Sequence, residues 1–169
     1  MTIYNTELFY PMLAMFLWTV VVMLRNLQVR VVAVRRGEIN TRYFELLKGA
    51  EPPEAVQKTG NHFRNLTEMP PLFYIICLAV MFMGRTDVNF IVLAWSYVAL
   101  RVGHSLIHLT VNRVPARLFL FAASNIVLLI MNIPLVGLFT RMLAMPQWVL
   151  MPFIIMVSFL GVYSISHST

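Results

Sequence analysis

Residues 89–111 read NFIVLAWSYVALRVGHSLIHLTV: a run long enough to cross a bilayer, with a single formal charge, Arg101, in its middle. A membrane-spanning helix needs about 20 mostly apolar residues at 1.5 Å rise per residue. In this run Tyr97, Arg101, His104, Ser105 and His108, then Asn112 just beyond it, recur at three- and four-residue steps. At 100° per residue they form one polar stripe on an otherwise apolar helix. A charge at the centre of a bilayer costs at least about 2.5–3.5 kcal/mol. Arg101 lies roughly 17 Å from either end of the run, too deep to reach water, so it must face protein. The pattern therefore predicts a transmembrane helix packed into a bundle with other helices.

The rest of the 169-residue chain agrees, with 59% hydrophobic and only 12% charged residues and a mean hydropathy of +0.75. Soluble domains carry roughly twice that charged fraction. Further spans are expected at about 8–36, 61–84 and 116–139, the first of them stopping at Gly37. A last apolar run, 148–164, is short and interrupted by Pro152; it is expected to add a fifth membrane helix. The fold class is all-α integral membrane, in one domain covering 1–169. Short links at 85–88 and 112–115 make the second, third and fourth helices antiparallel neighbours. One cysteine, Cys77, excludes an internal disulfide and any multi-cysteine metal site; it reads as packing.

The formal net charge of +6 would suggest nucleic acid in a soluble protein. Here its placement is decisive. Arg25, Arg30, Arg35, Arg36, Arg42, Lys48, Lys58, Arg64, Arg113 and Arg117 fall on one side of the expected topology, against Arg85 and Arg141 on the other. The positive-inside rule then puts the N-terminus outside and the basic side in the cytosol, with no nucleic acid among the partners.

Polar residues also mark the second and fourth spans. Asn61, Arg64, Asn65 and Glu68 share one helix face, with Pro70-Pro71 directly after it, and Arg117, Ser124, Asn125 and Asn132 follow on the fourth. Glu68 is the expected counter-ion of Arg101 or His104, and Asn65 an interhelical hydrogen-bonding group. Together these residues suggest a polar cavity open to the cytosol. A structural reading competes with it, in which a buried ionic core only fixes helix register. His104 and His108 lie one turn apart, but no carboxylate or cysteine joins them at a ligand spacing, so no metal is expected. Asn65-Leu66-Thr67 matches a glycosylation sequon by accident of its place in a span, and His167 reads as inert.

Three segments carry a family resemblance: Arg64-Asn65-Leu66-Thr67-Glu68 with Pro71-Leu72-Phe73, Arg101-Val102-Gly103-His104-Ser105, and Arg113-Val114-Pro115-Ala116-Arg117. They resemble the MAPEG family, the membrane-associated proteins of eicosanoid and glutathione metabolism, with a pattern nearest the microsomal prostaglandin E synthase branch and a bacterial-type member in an inner membrane. The resemblance implies a four-helix subunit in a homotrimer, with glutathione sites between subunits. It makes Arg64, Asn65 and Glu68 glutathione ligands, with Arg101, His104, His108 and Arg113 around the site and Arg117 as the catalytic arginine. A guanidinium beside a thiol raises the thiolate fraction available to attack an electrophile or peroxide, and a lipid-facing groove would admit a hydrophobic co-substrate. The chain departs from the family pattern at Asn61 and Asn40, where active members carry basic residues, and at His108 and Phe121, where they carry tyrosines. Two other functions remain open: a non-enzymatic protein that binds lipid or another hydrophobic ligand, and a proton path along Glu68, His104 and His108.

Overall fold

A computed structural model describes residues 6–46, 51–143 and 147–166; Lys48 and His167 lie outside them. Every regular element in the described residues is a helix: α1 Phe9–Arg35, α2 Tyr43–Leu46, α3 Glu54–Glu68, α4 Pro70–Phe82, α5 Val88–Leu109, α6 Val114–Leu143 and α7 Gln147–Ser166. Four stretches are long and apolar enough to cross a membrane: Phe9–Arg35, Glu54–Phe82, Val88–Leu109 and Val114–Gly137. The second begins seven residues earlier than expected, because Pro53 stands at the N-cap of α3 and the helix starts at once behind it. It is also two helices. Met69 separates α3 from α4, whose first two positions are prolines, where the missing N–H is least costly.

The ends of the helices follow from local chemistry. α1 closes with Gly37 at φ +70, its N–H donating to Val34 O and that of Glu38 to Ala33 O, the paired bonds of a Schellman motif. Gly84, at φ +62, ends α4 in the same way through Met81 O and Val80 O. A side chain at either position would have to enter a left-handed conformation that glycine adopts freely. α5 begins on Asp87, whose carboxylate accepts from the Phe90 N–H at 2.7 Å. Asn112, at φ 50, turns the chain between α5 and α6 while its N–H donates to Ile107 O at 2.8 Å.

The chain forms two compact units, Met1–Asn132 and Ile133–Thr169. In the first, α1 packs mainly along α3 and also touches α4 and α5, and α3 lies against α5. Met15 and Val22 of α1, Leu66 of α3, Phe73 and Val80 of α4, and Ala94 and Val98 of α5 form its apolar interior. Outward positions are just as apolar: Phe16, Leu24, Ile75, Val92 and Phe119 are all exposed, the composition expected of a surface solvated by lipid. The second unit holds the C-terminal part of α6, which contains Pro134, and α7. The apolar stretch of α7, Trp148–Tyr163, is shorter than the four spans.

One prediction tests the cap of α5. Asp87→Ala should lower the unfolding free energy in detergent by about 0.5–2 kcal/mol, read as a lower denaturation midpoint, whereas Asp87→Asn should retain most of the stability.

Candidate functional site

The stripe on α5 is turned inward: Tyr97, Arg101, His104, Ser105 and His108 are all buried. Arg101 is completely buried. Its Nη1 donates to Asn65 Oδ1 of α3 at 2.8 Å and its Nε to Tyr97 Oη at 3.2 Å. Its guanidinium carbon stands 5.5 Å from the ring centre of Tyr97 and 5.2 Å from that of Phe121, so the charge lies between two π faces. Phe73 stacks on Tyr97 at 4.6 Å and holds that ring in place. Ser105 ties the same stripe to α1, since its hydroxyl donates to Arg101 O at 2.9 Å and accepts from Trp18 Nε1 at 3.0 Å.

Glu68 is not the counter-ion of Arg101 or His104. It is exposed, and among the described residues the one ion pair joins Arg36 and Glu38 on the surface. The reason is the rotation of α3 about its own axis. Its buried stripe is Val56, Thr59, His62 and Leu66. At 100° per residue that stripe lies roughly 160° from the centre of the Asn61, Arg64, Asn65 and Glu68 face. Asn65 stands at the inner edge of the polar face and is half-buried, while Asn61, Arg64 and Glu68 are exposed. A proton path from Glu68 to the histidines therefore has no continuous set of groups within the described chain.

What α3 turns inward is His62, a residue that sequence reasoning passed over. It is fully buried, with its ring 5.8 Å from that of His104 and 4.8 Å from that of His108, and neither of its nitrogens has a hydrogen-bonding partner. The available signal was its spacing, because His62 continues the line of Thr59 and Leu66 at three- and four-residue steps. The three rings do not form a metal site: no group of three histidine, cysteine or acidic side chains among the described residues has the geometry to hold an ion.

Arg117, near the start of α6, completes the cluster. Its Nη1 lies 3.2 Å from His108 Nε2 and 2.9 Å from Asn112 Oδ1, and its carbonyl lies 3.0 Å from His104 Nδ1. A guanidinium only donates and a carbonyl only accepts, so His108 accepts through Nε2 and His104 carries its proton on Nδ1. A cleft of about 260 Å³ opens here, with Asn61, Asn65, His104, His108 and Arg117 as its polar lining and Val114, Leu118 and Phe121 as its apolar wall. No carboxylate lines it. The structure thus brings together Asn65, Arg101, His104, His108 and Arg117, and leaves Arg64, Glu68 and Arg113 exposed outside this cluster.

The match to known proteins follows the same stretch of chain. The model of the MAPEG family matches residues 8–137, which contain all four candidate spans and every residue of the cluster. The chain belongs to the MAPEG family. Like the family, it is an integral membrane protein whose helices contact lipid. No curated protein and no solved structure matches the chain.

The bond between Asn65 and Arg101 is the test of this site's internal logic. In a double-mutant cycle of Asn65→Leu and Arg101→Leu, unfolding in detergent should show a coupling of about 0.5–3 kcal/mol. Asn65→Leu alone should be the more damaging single change per atom removed, since it strands a buried donor. Additive effects would mean that the pair does not cooperate.

Proposed function

We propose that this member of the MAPEG family is a glutathione-dependent transferase or peroxidase acting on hydrophobic electrophiles, on the pattern of the prostaglandin E synthase branch. The observation that carries the reading is the Arg117 cleft. A guanidinium there is held by two neutral acceptors, His108 and Asn112, with no carboxylate to consume its charge. Such a cation is free to stabilise an anion, and a thiolate beside it would be present at neutral pH in far greater proportion than in water. The role of each group follows. Arg117 pairs with the sulfur. His108, through its bond to Arg117, fixes the direction of the guanidinium in place of the tyrosine of other members. Asn65 and His104 offer hydrogen bonds to the peptide part of the ligand. Val114, Leu118 and Phe121 form the side along which a hydrophobic electrophile reaches the sulfur. For transfer, the thiolate sulfur attacks the electrophilic carbon and the electron pair passes to the leaving group or acceptor atom. For reduction, it attacks a peroxide oxygen, the O–O bond breaks, and a second glutathione closes the disulfide.

Arg64 and Glu68 enter this reading through a second subunit. Glu68 is exposed one turn, about 6 Å, inward of Arg64, and the apolar α4 starts directly after it at Pro70. An ionised side chain facing the membrane there is best satisfied by protein or a water-filled cavity beside it. A homotrimer with its sites between subunits supplies that neighbour and sets Arg64 and Glu68 against a ligand shared by two chains. The positive-inside rule favours a cytosolic opening for these sites, where glutathione is abundant, and the basic ends of the helices support an inner-membrane protein with its N-terminus outside.

In detergent, millimolar glutathione should raise the melting temperature and produce the ultraviolet absorbance of a bound thiolate. Arg117→Leu should abolish the thiolate signal while leaving the fold intact. If the wild type gains neither stability nor thiolate absorbance, the glutathione reading fails. Co-purifying lipid whose retention is indifferent to Arg117 would then favour the non-enzymatic ligand-binding alternative.

A further inference from the structure

Asn112 lies in the short link between α5 and α6, five residues before Arg117. Its φ of 50 is left-handed, a conformation that asparagine tolerates better than most side chains. Its backbone N–H donates to Ile107 O at 2.8 Å, which fixes the residue to the last turn of α5. Its side chain reaches the other way, where Oδ1 accepts from Arg117 Nη1 at 2.9 Å. One residue therefore ties the end of α5 to the guanidinium of α6.

The contact determines which edge of the ion is free. His108 Nε2, at 3.2 Å, accepts from the same Nη1. A guanidinium carries five N–H groups in a fixed plane, two of them on Nη1. His108 and Asn112 thus saturate Nη1, while Nε and Nη2 keep three hydrogens with no acceptor among the described residues. That remaining edge is the fork with which a guanidinium takes an anion, and Arg117 lines the cleft. Both holders are neutral. The ionisable groups around this turn are His104 and His108 of α5, Lys58 of α3, whose Nζ donates to Thr110 O at 2.9 Å, and Arg113 and Arg117; none of them is acidic. A carboxylate at position 112 would fit the same turn and hold the guanidinium harder, because a charge-assisted bond is about twice as strong as a neutral one. It would also cancel the charge. The amide holds the guanidinium without neutralising it.

We propose that Asn112 is the positioning residue through which Arg117 meets the glutathione sulfur as an uncompensated cation, and that an amide rather than a carboxylate at this position sets how readily the bound thiol ionises. The inference rests on the glutathione reading of the Arg117 cleft. Asn112 acts through Arg117: it fixes one corner of the guanidinium and leaves the fork of Nε and Nη2 to the thiolate.

The test compares the full chain in detergent with Asn112→Asp and Asn112→Gly, both of which tolerate the left-handed turn. Two quantities are read: the melting temperature without glutathione, and the pH midpoint at which saturating glutathione develops thiolate absorbance. Asn112→Asp should melt at least as high as the wild type. Its thiolate midpoint should nevertheless rise by about one pH unit or more, because the added negative charge opposes a second anion beside it. Asn112→Gly keeps the cation and loses one holder, so its midpoint should rise by less; it carries the test if Asn112→Asp does not fold. A wild-type midpoint in both variants overturns the role of Asn112 and leaves the glutathione reading standing. An Asn112→Asp midpoint no higher than that of Asn112→Gly overturns the claim for the amide. A lower melting temperature with an unmoved midpoint makes Asn112 a structural residue only, which also overturns the proposal. A wild type without thiolate absorbance fails the glutathione reading itself, and this inference with it.

Discussion

A guanidinium buried in the middle of a membrane helix, with no carboxylate beside it, constrains everything else in this protein. Arg101 must stay charged, so it must be surrounded by groups that accept hydrogen bonds or present negative π faces. Asn65, Tyr97 and Phe121 do this from α3, α5 and α6. Once those three helices are held to one charge, their relative depth is set. Asn65 places α3, Phe121 places the N-terminal part of α6, and the Ser105 bond to Trp18 brings in α1. Helix association in lipid gains little from the hydrophobic effect, because lipid tails are as apolar as leucine. Directed polar contacts of this kind decide register there.

The same constraint explains the chemistry of the neighbouring cleft. Having given Arg101 only neutral partners, and its Nη2 none, the fold keeps acidic side chains away from the adjoining histidines and Arg117. The resulting region contains two guanidiniums and three imidazoles with no compensating carboxylate in its lining. An anionic ligand is the chemical complement of such a region. A buried ion pair between Arg101 and Glu68 would have held the helices equally well, but it would have drawn Glu68 inward and left a more neutral interior. Turned outward instead, Glu68 is exposed on the far side of α3.

Much of this was legible in the sequence. The apolar runs locate the four spans, and Gly37 marks the end of α1 through its left-handed conformation. The inward stripe of α5 could be read because its arginine, both its histidines, Tyr97 and Ser105 lie on one face, so only one rotation buries them. α3 offered no such guide. It is polar over most of its circumference, with Arg64 and Glu68 on one side and Thr59 and His62 on the other, and a helix of that kind does not reveal from its own residues which side faces protein. Charge strength pointed to Glu68; packing selected His62, whose flat ring lies against His104 and His108 of α5 where a solvated carboxylate would not. The break at Met69 was signalled by Pro70 and Pro71, whereas the early start of α3 behind Pro53 was hidden by the polar composition of its first turns.

We propose that the site is completed between chains, with Arg117 and its histidines on one and Arg64 and Glu68 on another. Native mass spectrometry of the detergent-solubilised protein with glutathione tests it most directly. The predicted spectrum is a trimer that takes up as many as three glutathione molecules, and Glu68→Leu should lose glutathione and weaken the trimer together. A monomer that binds glutathione by itself, or a trimer whose glutathione occupancy is unaffected by Glu68→Leu, would contradict it.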